Sequence, residues 1–143
     1  MRSILTNVTI DAPPAAVWRV LVDFPAYSRW NPFIRHIEGN MRVGAKLRVT
    51  VETPGRRPMT FRPIVRVVDT ARELRWLGRV LMPGLLDGEH AFVMESEGGG
   101  CRLRHEERFA GILVGAFAGV LADTAKGFDT MNAALKDRAE AIS

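Results

Sequence analysis

The chain contains one cysteine, three lysines and no apolar run long enough to cross a bilayer. With Cys101 alone, no disulfide can form within the chain, so the fold depends on an ordinary hydrophobic core. The longest apolar run, Gly111 to Ala122, has 12 residues, whereas a membrane helix needs roughly 20. The first residues alternate like a strand and lack the features of a secretory signal. We therefore expect a cytoplasmic protein without an integral membrane segment.

Positive charge is carried mostly by arginine, and the net charge of the chain is +4. No basic run is longer than Arg56-Arg57, and the other arginines are spread along strand-like segments. This distribution predicts the solvated outer face of a sheet and argues against nucleic acid as a partner. An acidic membrane surface, a protein partner, and a monomeric or dimeric state are left open.

Most of the chain before residue 111 alternates apolar and polar residues, which is typical of antiparallel strands with one wet face. The exception follows the first strand, where Asp11 precedes Ala12-Pro13-Pro14. Aspartate caps helices well and proline is tolerated in the first helical turn, so a short helix is predicted there. A second short helical turn is predicted from Ala26 to Trp30, ended by Asn31-Pro32.

The last third of the chain predicts one long amphipathic helix, about Val114 to Ala141. Its stripe recurs at spacings of four and three residues and comprises Phe117, Leu121, Thr124, Phe128, Met131 and Leu135. A sheet followed by such a helix predicts a single α+β domain over residues 1–143. In it, about six or seven antiparallel strands curve around the helix.

The order of elements comes with several recognisable residue groups. Near the start these are Ile10-Asp11-Ala12-Pro13, Val17-Trp18, Asp23-Phe24, Tyr27 and Trp30-Asn31-Pro32-Phe33. Later ones are Leu74-Arg75-Trp76, Gly88-Glu89-His90, Phe92 and His105-Glu106-Glu107. Over essentially its whole length the chain resembles the SRPBCC superfamily, also called the START-like or birch-pollen-allergen-like helix-grip fold. The later groups resemble its bacterial polyketide cyclase/dehydrase-like branch.

The resemblance implies the helix-grip fold and leaves the activity open. Members of the superfamily include lipid and hormone carriers, aromatase/cyclases, quinone-binding proteins and Hsp90 co-chaperones. None of its catalytic motifs can be transferred to this chain residue by residue.

Polar residues on inward strand faces are the most unusual local feature. If Phe92 and Met94 face inward, so does His90, and if Leu103 and Phe109 do, so do His105 and Glu107. One interpretation is that these polar groups satisfy one another or the backbone. Another is that they recognise a ligand, and a third is that His105 and Glu107 act as proton-transfer groups.

The expected cavity between sheet and helix is lined by apolar residues with a few polar anchors. The predicted lining is Trp76, His90, Phe92, Met94, Leu103, His105, Glu107, Phe117, Leu121, Thr124, Phe128 and Met131. Thr124 either bonds the carbonyl one turn back or anchors a ligand. Trp76 either fills the core or stacks on a ligand ring. Arg35 is interpreted as a surface residue.

Three functions remain as hypotheses. The first is binding of one small hydrophobic molecule, such as a lipid, a quinone or an aromatic polyketide. The second is a cyclase/dehydrase-like enzyme with His105 and Glu107 in proton transfer. The third is a protein- or membrane-interaction module that uses the segment from Gly111 to Ala122. We expect no cofactor, and no metal, because the histidines show no helical ligand spacing and Cys101 has no partner.

Overall fold

The structure is a computed structural model that describes residues 2–80, 82 and 84–143. Eight strands and three α-helices occur among these residues. In chain order they are β1 (Arg2–Ile10), α1 (Pro14–Val22), α2 (Tyr27–Trp30), β2 (Ile34–Glu38), β3 (Arg48–Val51), β4 (Met59–Phe61), β5 (Ile64–Asp69), β6 (Glu73–Val80), β7 (Leu86–Glu97), β8 (Gly100–Ala110) and α3 (Ala118–Ile142). Short 3-10 turns precede α2 and α3. This order confirms the predicted helix-grip fold.

The strands form two antiparallel sheets that meet along one line. One sheet has the order β1-β8-β7-β6-β5 and the other β2-β3-β4. Between them, an isolated bridge pairs Lys46 with Ile64, and the Leu47 amide donates to the Pro63 carbonyl over 2.8 Å. Pro63 also explains why β4 and β5 are separate strands, since proline has no N–H for a ladder. The two sheets therefore make one curved wall.

The long helix α3 lies against this wall along its apolar stripe. Its first turn differs from the sequence prediction, because Val114–Phe117 is a 3-10 helix and the α-helix begins at Ala118. Gly127 lies where the helix touches Phe33, the residue before β2. A β-carbon at Gly127 would overlap the ring of Phe33. The glycine is thus required by the close packing of the helix against Phe33.

Strand β2 breaks the alternation that defines a regular strand. Its pairing with β3 shifts between Ile34 and His36, so that Ile34 and Ile37 are both buried while His36 is exposed. The Arg35 guanidinium donates to the carbonyls of Ser28 and Asn31. This bulge explains why the phase of the strand could not be read from a period of two.

The outer face of the large sheet carries exposed arginines, as the sequence predicted. They include Arg66, Arg79, Arg102, Arg104 and Arg108. In the described part of the chain, no helix combines the length and the apolar character that a membrane crossing requires.

Candidate functional site

A cavity of about 120 Å³ lies between the curved wall and the first half of α3. Its wall is mainly apolar, with contributions from both sheets, from the 3-10 turn before α3 and from α3 itself. Apolar residues of the wall include Phe33, Val49, Phe61, Trp76, Phe109 and Leu121. Two titratable side chains of the inner sheet face, His90 and Glu107, also reach it, and Arg57 lies at its exposed edge.

Half of the residues predicted to line the cavity do so. These are Trp76, His90, Glu107, Phe117, Leu121 and Thr124. The other six do not line it: Phe92, Met94, Leu103, His105, Phe128 and Met131 are packed in the core. The reason is that the second half of α3 packs closely on the sheet, where Phe128 stacks on the His105 ring and Asn132 hydrogen-bonds to it. The helix stripe therefore covers a cavity at one end and a closed core at the other.

The sequence left two interpretations open for Thr124 and two for Trp76. The Thr124 hydroxyl donates to the Val120 carbonyl over 2.8 Å, one turn back along the helix. Trp76 is buried and stacks on His90, with the ring centroids 5.0 Å apart and the planes 23° from parallel. Both residues still form part of the cavity wall.

Glu107 and His90 are neighbours on adjacent strands. The register of β7 and β8 places them directly opposite each other, and Glu107 Oε1 lies 3.2 Å from His90 Nδ1. The side chains are 17% and 6% exposed, respectively. The second carboxylate oxygen, Oε2, lies over Gly88, where a β-carbon would approach it to 2.5 Å. Glycine at position 88 thus leaves room for the carboxylate at the cavity wall.

His105 lies behind His90 and away from the cavity. Its Nε2 is 2.7 Å from His90 Nε2, and its Nδ1 is 2.7 Å from Asn132 Oδ1. The ring is sandwiched between Phe92 and Phe128, with centroid distances of 4.4 and 3.9 Å. Complete burial, reinforced by the neighbouring His90, holds the pKa of His105 well below its usual value, so the imidazole is neutral near pH 7.

The structure does not bring the two candidate proton-transfer groups, His105 and Glu107, into direct contact. The histidine that meets Glu107 is His90, and His105 reaches the carboxylate only through it. Asn132 was missed because it lies beside the apolar stripe, one position after Met131. A buried asparagine four residues after Phe128 is a polar interruption that could have signalled a partner inside the core.

Other candidate groups do not join this site. Cys101 is buried, and burial raises the pKa of its thiol. Within residues 2–80, 82 and 84–143, no three His, Cys, Asp or Glu side chains are grouped to hold a metal ion. In the apolar segment from residue 111 to 122, Ile112 is exposed, Val114 is buried and Phe117 lines the cavity. That segment is therefore partly built into the fold.

A loop beside the cavity is tied to α3. The Arg56 guanidinium donates to Asp123 over 2.6 Å, and the neighbouring Thr53 and Arg57 line the cavity. Both partners of the ion pair are partly exposed, with side-chain exposures of 39% and 29%. The loop between β3 and β4 is thus held at the cavity edge by a contact of the kind that is weak at protein surfaces.

Comparison with known proteins places this architecture in a family. The sequence model of the family "Polyketide cyclase / dehydrase and lipid transport" matches residues 1–140. No curated protein gives a significant sequence match.

Solved structures share the fold at low sequence identity. TTHA0849 from Thermus thermophilus is 18% identical with a TM-score of 0.78, and 99% of each chain is covered. A START superfamily protein from Mycobacterium smegmatis is 19% identical with a TM-score of 0.75, again with 99% of each chain covered. The di-domain ARO/CYC StfQ from the steffimycin biosynthetic pathway is 13% identical with a TM-score of 0.74. There 98% of this chain covers 51% of StfQ, about half its length.

Proposed function

The chain belongs to the polyketide cyclase/dehydrase and lipid transport family, and from this membership we propose that it binds one small, mainly apolar molecule in the cavity between sheet and helix. The observation that carries the proposal is the cavity itself. An apolar wall surrounds a space of about 120 Å³, and a single carboxylate–imidazole pair interrupts it. Concave, mostly apolar sites with a few placed polar groups are typical of small-molecule binding.

The size of the cavity favours a ligand with one ring or a short chain inside it. A dry engineered cavity of about 150 Å³ is large enough to bind benzene, and this cavity is slightly smaller. Its edge is exposed at Arg57 and Met59, so a longer molecule would extend out beside them. The name of the family, which includes lipid transport, and the designation of StfQ as an ARO/CYC protein both support a hydrophobic or aromatic ligand.

Native mass spectrometry of freshly purified protein, followed by denaturing extraction, tests this proposal. A discrete added mass of a few hundred daltons is expected, and the extracted molecule identifies the ligand class. A titration with toluene followed by NMR provides the test for protein that purifies empty. Saturable shifts of cavity residues support the proposal, and their absence at toluene saturation contradicts it.

A matched pair of variants ties the binding to the cavity. Gly78 lines the cavity, and a β-carbon there would have only ordinary contacts, the nearest at 3.8 Å. Gly78→Leu should therefore fill the cavity and abolish toluene binding. Ala133→Leu adds the same side chain to an exposed position of α3, so it should leave binding unchanged. Equal binding by both variants would place the ligand elsewhere.

The second candidate is a cyclase/dehydrase-like enzyme, which the pair at the cavity wall favours. Glu107 would act as the base. His90 would share a proton with the Glu107 carboxyl group, and His105 would position His90. A general probe is hydrogen–deuterium exchange at the α-carbon of a small aryl ketone in D₂O. The carboxylate would remove the α-proton to give an enolate, which then takes up deuterium. If the wild type catalyses this deuterium exchange and Glu107→Gln abolishes it, the result supports catalysis. Equal exchange in both contradicts it.

A further inference from the structure

A line of polar side chains crosses the apolar core from the cavity to β1. It runs Glu107–His90–His105–Asn132–Thr6, and each link is a hydrogen bond of 2.7 to 3.2 Å. Such a line is unusual inside an aromatic core, because every buried polar group must find a partner. Its far end determines which atoms donate and which accept along its whole length.

Thr6 fixes the orientation of the Asn132 amide. The Thr6 hydroxyl donates its one hydrogen to the His105 carbonyl over 2.6 Å. Its oxygen is therefore left to accept from Asn132 Nδ2 over 2.8 Å. If the amide were turned over, two acceptor oxygens would face each other at one of these two contacts. Asn132 Oδ1 is thus directed at His105 as an acceptor.

The protonation pattern of both histidines follows from this orientation. His105 Nδ1 must carry a hydrogen to donate to Asn132 Oδ1. The two Nε2 atoms are 2.7 Å apart, so one hydrogen lies between them. Because the buried His105 is neutral and its hydrogen is on Nδ1, its Nε2 accepts and His90 Nε2 donates. The low pKa of His105 agrees with this assignment.

One further hydrogen is required at the cavity end. His90 Nδ1 and Glu107 Oε1 are 3.2 Å apart, and two lone pairs would repel at that distance. A single hydrogen therefore lies between them, either on His90 Nδ1 or on Glu107 Oε1. In both placements it is on the Oε1 side of the carboxyl group. Glu107 Oε2, over Gly88 at the cavity wall, is then an acceptor in either case.

We propose that Glu107 Oε2 is a fixed hydrogen-bond acceptor in the cavity and that the site selects apolar molecules bearing a hydroxyl group, such as phenols or enols. This inference rests on the proposed function, because it names the ligand class for the same cavity. A ketone or ether oxygen at the same position would face another acceptor. Arg57, a donor at the cavity edge, is exposed to solvent. Because water competes for its hydrogen bonds, Arg57 should give little preference for ligands with an acceptor oxygen.

The test compares p-cresol with p-xylene, which differ by a hydroxyl in place of a methyl group. A purely apolar cavity would prefer p-xylene. The proposal expects the wild type to bind p-cresol about tenfold more tightly, which is within the range of an ordinary protein hydrogen bond. Glu107→Met should bind p-xylene and lose the preference for p-cresol. Glu107→Gln should retain part of the preference, because its amide can donate to His90 and turn its oxygen to the cavity.

Two binding results would overturn the inference, and they can be told apart. Equal or tighter binding of p-xylene by the wild type leaves the proposed function standing and refutes the acceptor role of Glu107. Failure of toluene, p-xylene and p-cresol alike to bind refutes the proposed function itself, and the ligand class with it.

Long-range ¹H–¹⁵N NMR shows which histidine nitrogens carry hydrogens and needs no ligand. A hydrogen on His105 Nδ1 is expected, and a hydrogen on its Nε2 instead would overturn the assignment.

Discussion

His90 and His105 meet nitrogen to nitrogen, with 2.7 Å between their Nε2 atoms. One ring belongs to the cavity wall and the other to the closed core. Both come from the inner face of the large sheet, on neighbouring strands β7 and β8. The contact links the wall of the cavity with a core that must exclude charge.

The stability of the protein should fall in mild acid because of His105. Its folded-state pKa lies well below the ordinary value, whereas in the unfolded chain histidine titrates near about 6.5. Below that pH the unfolded state therefore binds a proton that the folded state does not. The free energy of unfolding should drop by up to about 1.4 kcal/mol per pH unit from this group.

Urea denaturation between pH 7.5 and 5 measures this slope. His105→Phe removes the titrating group and keeps a ring between Phe92 and Phe128, so its slope should be shallower than that of the wild type. His36→Gln serves as the control, since His36 is a half-exposed histidine at 53% side-chain exposure. An unchanged slope in His105→Phe would show that His105 titrates normally in the folded state.

Gly127→Ala should destabilise the fold. A β-carbon at this position overlaps the Phe33 ring, and overpacking of this kind typically costs about 1–3 kcal/mol. Gly119→Ala lies on the same helix, where the nearest atom is 3.6 Å away. It should be neutral or stabilising by up to about 1 kcal/mol. Thermal unfolding of both variants checks the prediction, and equal stability would mean that the helix and Phe33 are not in close contact.

Gly88→Ala should displace the carboxylate of Glu107 without removing it. The new β-carbon would lie 2.5 Å from Oε2, and the flexible end of the glutamate can move away. The variant should therefore fold but lose the preference for p-cresol over p-xylene. Gly78→Ala narrows the same cavity from the paired position of β6 and should keep that preference. Loss of the preference in both variants would indicate crowding of the cavity instead.

The ion pair at the cavity edge should affect the rate at which a ligand leaves the cavity more than it affects the ligand's affinity. Arg56→Ala releases the loop between β3 and β4 from Asp123. A partly exposed pair contributes about 1 kcal/mol or less, so the affinity for p-cresol should change by less than about tenfold. Its dissociation rate, measured by NMR line shapes, should increase. Lys126→Gln is the control, because Lys126 is a 78% exposed neighbour of Asp123 at 4.0 Å. An unchanged rate in Arg56→Ala would remove this loop from the path of the ligand.

Much of the fold could be predicted from the sequence because alternation and helical spacing report which face is buried. The inward phases of Trp76, His90, Phe92 and Leu103 were all correct, and each of these residues is buried. The phase of β2 could not be predicted, since a bulge places both Ile34 and Ile37 inside. Periodicity assumes regular pairing, and a single extra residue breaks that assumption.

The site was less predictable than the fold. A helical stripe shows which residues face the sheet, but it does not show how far the helix lies from the sheet at each point. Leu121 therefore lines a cavity while Met131, on the same stripe, is packed in the core. The contact of Asn132 with His105 joins residues 27 positions apart in the chain. No local pattern encodes that distance, so the polar line through the core emerged only from the packing of α3 on β8.

NMR contacts between bound p-cresol and the methyl groups of the protein decide whether the ligand lies in the cavity between sheet and helix. If the ligand occupies the cavity between sheet and helix, nuclear Overhauser effects should join the aromatic protons of p-cresol to the methyl groups of Val49 and Leu121, both of which line it. The methyl groups of Leu135, fully buried in the closed core, should show none. Contacts confined to exposed methyl groups such as those of Leu5 and Ile112 would contradict the account.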